Sequence, residues 1–210
     1  MNLILNSQVA VHDFLDLTLD SKLNFHHHIS KVLLKASSFV GMLRRLRAIL
    51  PKPMLWQIYF AHIHSHLTYL LPVWASASQE RLMSLQRVQN KAVKSILNLP
   101  YLTSSDSLYS AKFLPFIKLT KYESILLIIK IVWGLVTVGQ TLGDNLAITN
   151  RTTRQAQTIR PPNYILGLAQ SSAFYRGINL YNTYLTSPQF QISPTISLLK
   201  TRLKDYVYTL

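Results

Sequence analysis

Long apolar repeats, several of them bounded by prolines, constrain this chain more than any other feature. Over residues 24–50, apolar side chains recur at steps of three and four, and Pro51 follows. Because residues three and four apart share one face of an α-helix, this spacing predicts an amphipathic helix that ends at the proline. Similar repeats over 53–70 and 76–99 predict two further helices. Three helices with short connections favour a compact bundle over residues 23–100.

The segments on either side of the predicted bundle are more varied. Residues 9–20 alternate apolar and polar side chains in places, which predicts one half-buried strand within a segment 1–22. We expect accessory helices over 101–138, a polar and basic connector over 139–165, and a segment 166–210 that ends in a helix. The predicted fold class is therefore mainly α, with a small strand remnant followed by a helical bundle and a partly helical tail.

Positive charge is the second strong feature of the sequence. The chain of 210 residues has 22 Lys and Arg against 8 Asp and Glu, a formal net charge of +14. No acidic residue occurs between Asp20 and Glu80. Such a chain is expected to attract polyanions, either nucleic acid or an anionic membrane surface.

On each of the first and third predicted helices, cations share one face, which on the first helix lies away from the apolar face. Acids are missing from this region, so pairing within a helix cannot be the purpose of these cations. Two basic stripes on adjacent helices are suited to neutralise successive backbone phosphates without reading the sequence. The alternative is a solvated polar face. The predicted nucleic-acid-binding residues are Lys31, Lys35, Arg44, Arg45, Arg47, Arg87, Lys91 and Lys94.

No active site is predicted in this chain. The absence of Cys excludes thiol catalysis and Cys-based metal sites. His62 and His66 have the spacing of two metal ligands on a helix, but no acid lies nearby as a third, so partly buried structural histidines are favoured. The aspartates of residues 13–20 do not share one face of a strand. Neither a nucleophile elbow nor a glycine-rich phosphate loop occurs.

Several motifs, in their order along the chain, resemble one family. They are FLDLTLDSKLNFHHHI at 14–29, LRRLR at 43–47, YFAHIHSHLTY at 59–69 ahead of PVW at 72–74, LQRVQNKAV at 85–93, RTTR at 151–154 and FYRGINLYN at 174–182. From about Val11 onward, the chain resembles the region that follows the palm in Jockey-like non-LTR retrotransposon reverse transcriptases.

The resemblance implies a fragment of an RNA-directed DNA polymerase. In this family the metal-binding aspartates, which use Mg²⁺, lie in a palm upstream of the region seen here. The chain is therefore expected to hold no cofactor and to be inactive in DNA synthesis alone. Residues 1–22 look like the end of the palm, and 23–100 look like the thumb, which grips the template–primer duplex. The implied partners are RNA or an RNA–DNA hybrid duplex and the missing palm and fingers, with no membrane.

The chain departs from the family pattern at three places. Asp16 and Leu70 each stand where the family usually has Gly, and Thr183-Tyr184 replaces the usual Leu-Pro. Loss of Gly at tight backbone positions is the pattern expected of a decaying copy of the element.

Two other classes of function stay open. A helical scaffold would use the apolar surface of the bundle for a protein partner, although it would not need the acid-free span 21–79. A membrane-surface binder would place basic and apolar residues of one helix at the interface. It ranks last, because the apolar faces look deep enough to be covered by neighbouring helices.

Overall fold

A computed structural model of the protein describes most of the chain. The described residues are 11–110, 113–136, 158–159, 161, 172–187 and 195–210. They are mainly helical, with one two-stranded antiparallel sheet ahead of the helices, and the predicted fold class is confirmed. The chain divides into two compact units, the first made of 1–70 with 77–99 and the second of 71–76 with 100–210.

Two short strands and eight α-helices make up the regular structure of the described residues. The strands are β1 (Val11–Phe14) and β2 (Leu17–Asp20). The helices are α1 (His26–Leu46), α2 (Lys52–Ile58), α3 (Ser65–Thr68), α4 (Leu71–Trp74), α5 (Gln79–Leu97), α6 (Phe116–Val132), α7 (Ala173–Leu185) and α8 (Ile196–Thr209). A π-helical segment, π1 (Tyr59–His64), joins α2 to α3, and a 3-10 turn spans Asp106–Leu108.

The first strand pair corrects the single strand predicted over 9–20. β1 and β2 form a hairpin in which Phe14 lies opposite Leu17. The two residues between them, Leu15 and Asp16, both have a positive φ, 49° and 60°. A two-residue turn with positive φ at both positions matches the twist of a hairpin. The sequence alternation continued through this turn, which lacks the usual Asn-Gly signal, and so concealed it.

The second predicted helix is one helical run from Lys52 to Thr68 with a π-helical segment in its middle. Its fully buried residues Leu55, Tyr59, Ile63 and Leu67 are spaced four apart. An α-helix has 3.6 residues per turn, so a strict four-residue repeat would drift around it. The i→i+5 bonding of a π segment gives a wider turn and returns the repeat to one face.

The core of the first unit lies between α1 and α5. Helix α1 buries the aliphatic face that contains Ile29, Val32 and Leu43. The predicted apolar face of α5 is confirmed, because its five members are all buried: Leu82, Leu85, Val88, Ala92 and Ile96. Burying each of the larger aliphatic side chains contributes about 1.5–3 kcal/mol to folding.

A buried hydrogen bond joins the π segment to α5 inside this core. Tyr59 is fully buried, and its hydroxyl accepts a hydrogen bond of 3.1 Å from Gln89 Nε2. Burial raises the pKa of Tyr59, so the phenol stays protonated. The contact ties the π segment to α5 and satisfies polar atoms that would otherwise destabilise the core.

The second unit is built on α6, α7, α8 and the short α4. Trp74 of α4 is buried and stacks on Phe116, with ring centroids 5.9 Å apart. Of the predicted connector 139–165, only residues 158, 159 and 161 are described. Ile159 is buried, and its N–H and carbonyl bond reciprocally to the side-chain amide of Asn182, at 3.0 and 2.7 Å.

The hairpin turn yields a stability prediction. Replacing Asp16 with Gly should stabilise the protein by roughly 0.5–1 kcal/mol, because Gly adopts positive φ without steric cost. The loss of the exposed contact to Lys35 should subtract little. Asp16→Ala, the matched control, keeps the strain and should give no gain in urea unfolding. Equal stability of the two variants would contradict the prediction.

The close approach of α7 to α6 at Gly177 yields a second stability prediction. A Cβ at Gly177 would lie 2.9 Å from Ile128 Cγ1 and 3.1 Å from the Ser124 carbonyl oxygen, so Gly177→Ala should cost about 1–3 kcal/mol. Gly41, in the middle of α1, has no atom within 4 Å of such a Cβ. Gly41→Ala should stabilise by up to about 1 kcal/mol. Thermal melting of both variants tests the contrast, and a shift in the same direction would refute it.

Candidate nucleic-acid interface

The cations of α5 lie on the face opposite its buried residues. Arg87 and Lys91 are exposed and Lys94 is half-buried. Within the described ranges, no carboxylate lies within ion-pair distance of Arg87 or Lys91. The stripe predicted on this helix therefore exists as an outward-facing row of positive charge.

The second group of cations lies at the carboxyl end of α1. Arg44 and Arg45 are in its last turn and Arg47 caps it, and all three are exposed. No acidic side chain in the described part of the chain pairs with them. Cations are favourable at a helix C-terminus, where the carbonyl dipoles carry partial negative charge. The helix end thus stabilises three guanidinium groups that stay accessible to an outside anion.

Lys31 and Lys35 have protein partners that the sequence of α1 does not predict. Lys31 Nζ lies 2.9 and 2.8 Å from the two carboxylate oxygens of Asp13, and Lys35 Nζ lies 3.3 Å from Asp16 Oδ2. Acids are indeed absent from α1 itself, but the hairpin brings two of them to it. Hydrogen bonds from Lys31 and from the Thr18 hydroxyl lower the pKa of Asp13. These ion pairs are exposed, and pairs of this kind exchange readily with solvent or another anion.

The three early aspartates each have local partners. The first two contact lysines, and Asp20 Oδ1 accepts hydrogen bonds from the backbone N–H groups of Lys22 and Asn24, both at 3.0 Å. Among the residues that the structure describes, no three His, Asp or Glu side chains come together as metal ligands. The carboxylates therefore act locally on the hairpin and on the start of α1.

A cleft of about 250 Å³ lies between the hairpin turn, α1 and α3. Its polar lining consists of Asp16, His28, Lys31, Lys35, Ser65, His66 and Tyr69. The Tyr69 hydroxyl donates a 2.8 Å hydrogen bond to the Leu15 carbonyl and so holds the turn at the cleft. Burial lowers the pKa of both histidines, and the charge of Lys35 lowers that of His66 further. Both imidazoles are therefore neutral near pH 7.

A ring stack beside this cleft was missed from the sequence. Phe39 of α1 stacks on His62, with centroids 4.6 Å apart and 16° between planes, and on His66 at 6.2 Å and 26°. His66 is half-buried as expected, but His62 is exposed, which corrects its assignment to a buried seam. The buried repeat runs through Ile63 and Leu67, so each histidine lies one residue off that face. This offset from the four-residue repeat was the available signal.

Known proteins supply no independent assignment of this site. No protein-family model, curated protein or solved structure matches the chain. In the described part of the protein, no helix has both the length and the apolar character needed to cross a membrane. The interpretation of the interface therefore depends on its own geometry and charge.

The buried His28 yields a pH prediction. The pKa of His28 is lowered in the folded state, so the unfolded chain binds more protons than the folded one as pH falls below about 6.5. Stability should be complete above that pH and decrease below it. His28→Gln should reduce the difference between urea midpoints at about pH 7.5 and about pH 5.5. The exposed neighbour His27 is the control, and His27→Gln with the same effect would contradict the assignment.

Proposed function

We propose that the first unit is a thumb-like module of a reverse-transcriptase fragment that binds the phosphate backbone of an RNA duplex or an RNA–DNA hybrid. The observation that supports this most is the set of exposed cations on two packed helices without described acidic partners. They are Arg44, Arg45, Arg47, Arg87 and Lys91. The proposed mode of binding is neutralisation of phosphates without reading of bases.

The type of cation fits this role. Arginine presents a planar fork of N–H donors that suits phosphate oxygens, and it stays charged at every relevant pH. Binding through several such contacts releases condensed counterions, which makes affinity strongly salt-dependent and nearly independent of sequence. The ammonium groups of Lys31 and Lys35 can join the contact when phosphate replaces their exposed carboxylate partners.

Backbone geometry gives the resemblance separate support. The reverse-transcriptase pattern has Gly at the positions of Asp16 and Leu70, and both residues have a positive φ here, 60° and 48°. A positive φ is the conformation for which Gly is selected. At these two of the three departures, the positive φ explains why the family has Gly.

The proposed module has no catalytic part. Nucleotide transfer in the resembled family requires Mg²⁺ held by palm aspartates, and the aspartates of the described hairpin are engaged with lysines and backbone N–H groups. The chain alone is accordingly proposed to bind template–primer without extending it.

A protein-interaction scaffold is the second candidate function. It is favoured by large apolar side chains exposed on the α2–π1–α3 run, since Met54 is 50 % and Phe60 is 47 % exposed. Exposed groups of this kind often mark a protein contact. This candidate predicts little affinity for nucleic acid.

Charge reversal on α5 tests the proposed function. The variant Arg87→Glu, Lys91→Glu, Lys94→Glu should weaken binding to an RNA–DNA hybrid uniformly across sequences. Its plot of log affinity against log salt should flatten by about three, one for each lost phosphate contact. Fluorescence anisotropy over a salt series measures both quantities.

The control variant carries the same number of reversals outside α1 and α5, at Lys22, Lys52 and Lys121. It should change the slope far less than the α5 variant, although both lower the net charge equally. An unchanged slope in the α5 variant would remove that helix from the interface. Absence of binding by the folded wild-type chain at low salt would reject the proposed function in favour of the scaffold.

A further inference from the structure

The ring stack of Phe39, His62 and His66 is a surface that the proposed backbone binding does not use. Phe39 is half-buried and holds one face of the His62 ring at 4.6 Å, whereas His62 itself is exposed. One face of this imidazole is therefore covered and the other is available to an outside group. Because the ring is already held in a stack, binding a partner would cost little side-chain conformational entropy of the protein.

The stack is continuous with the polar cleft. His66 lines the cleft and also stacks on Phe39, and Lys35 lies one helical turn before Phe39 on α1. The His66 end of the ring stack thus lines the same cleft as the Lys35 ammonium group, whose described carboxylate partner, Asp16, is exposed. An exposed ring face beside an exchangeable cation is the combination that holds an unpaired nucleotide, with its base on the ring and its phosphate on the cation.

We propose that this surface binds a single-stranded end of the nucleic acid, with a terminal base stacked on His62 and its phosphate in the cleft beside Lys35. The proposal rests on the proposed function, because the duplex must be held by the basic helices. Bases inside a duplex hide both faces against their neighbours, whereas an overhang or a loop frees a single base to stack on His62. The ligand is therefore a duplex with an unpaired extension rather than a blunt duplex.

Stacking is tolerant of sequence, because every base has a flat π face. The preference for an overhang should therefore not depend on its bases, but it should depend on their presence. This separates stacking from charge, since an abasic overhang carries the same phosphates without the rings.

The test compares three forms of one RNA–DNA hybrid: blunt, with a short unpaired overhang, and with an abasic overhang of equal length. The wild-type chain should bind the base-bearing overhang about tenfold more tightly than the abasic one. His62→Ala should abolish that difference and leave affinity for the blunt duplex unchanged. His62→Phe should restore the difference, because an uncharged aromatic ring still stacks. His27→Ala, at another exposed histidine, should behave as wild type.

The following outcomes, or a base-dependent difference that persists in His62→Ala, would overturn one or both proposals. Equal affinity for base-bearing and abasic overhangs would overturn the proposed end site, while retained blunt-duplex binding would leave the proposed function standing. Loss of blunt-duplex binding in His62→Ala, with the helical circular dichroism spectrum intact, would also overturn it. Failure of the wild-type chain to bind any of the three forms would overturn both proposals.

Discussion

The packing of α1 against α5 is the interaction on which the rest of the first unit depends. Each helix buries an aliphatic face against the other, and this contact decides which side chains remain outside. Because the apolar faces pack against each other, the cations of these helices face solvent; they include Arg44, Arg45, Arg87 and Lys91. The chain supplies few acids to meet them there. The hydrophobic core and the basic surface are thus two results of one arrangement of residues along two helices.

The sequence carried the helices well because their signals are local. The apolar steps of three and four, with prolines at their ends, were sufficient to locate α1 and α5 to within a few residues. The hairpin was different, since its turn uses Leu15 and Asp16 where Asn and Gly would have announced it. The prediction of a single strand therefore missed the reversal of chain direction at this turn, which the backbone conformation reveals.

Contacts across the chain explain the remaining differences. The neutralisation of Lys31 and Lys35 depends on a hairpin that folds back on α1, and no spacing within the helix encodes it. The position of His62 depends on the π segment. The signal for this segment is the four-residue repeat at Tyr59, Ile63 and Leu67, which resembles the apolar face of an ordinary α-helix. The basic residues were predictable as a set, whereas which of them keep their charge available was not.

The π segment also sets the rotation of α3 about the helix axis. Such a segment is equivalent to one extra residue inserted into an α-helix, and each residue advances an α-helix by about 100°. If that residue were lost, α3 would turn by about this angle, taking Leu67 away from the core and His66 away from Phe39. The stacking of His66 on Phe39, the position of His66 in the cleft and the burial of Leu67 therefore all depend on a single residue of chain length. In this molecule a change of length would be more disruptive than most changes of side chain.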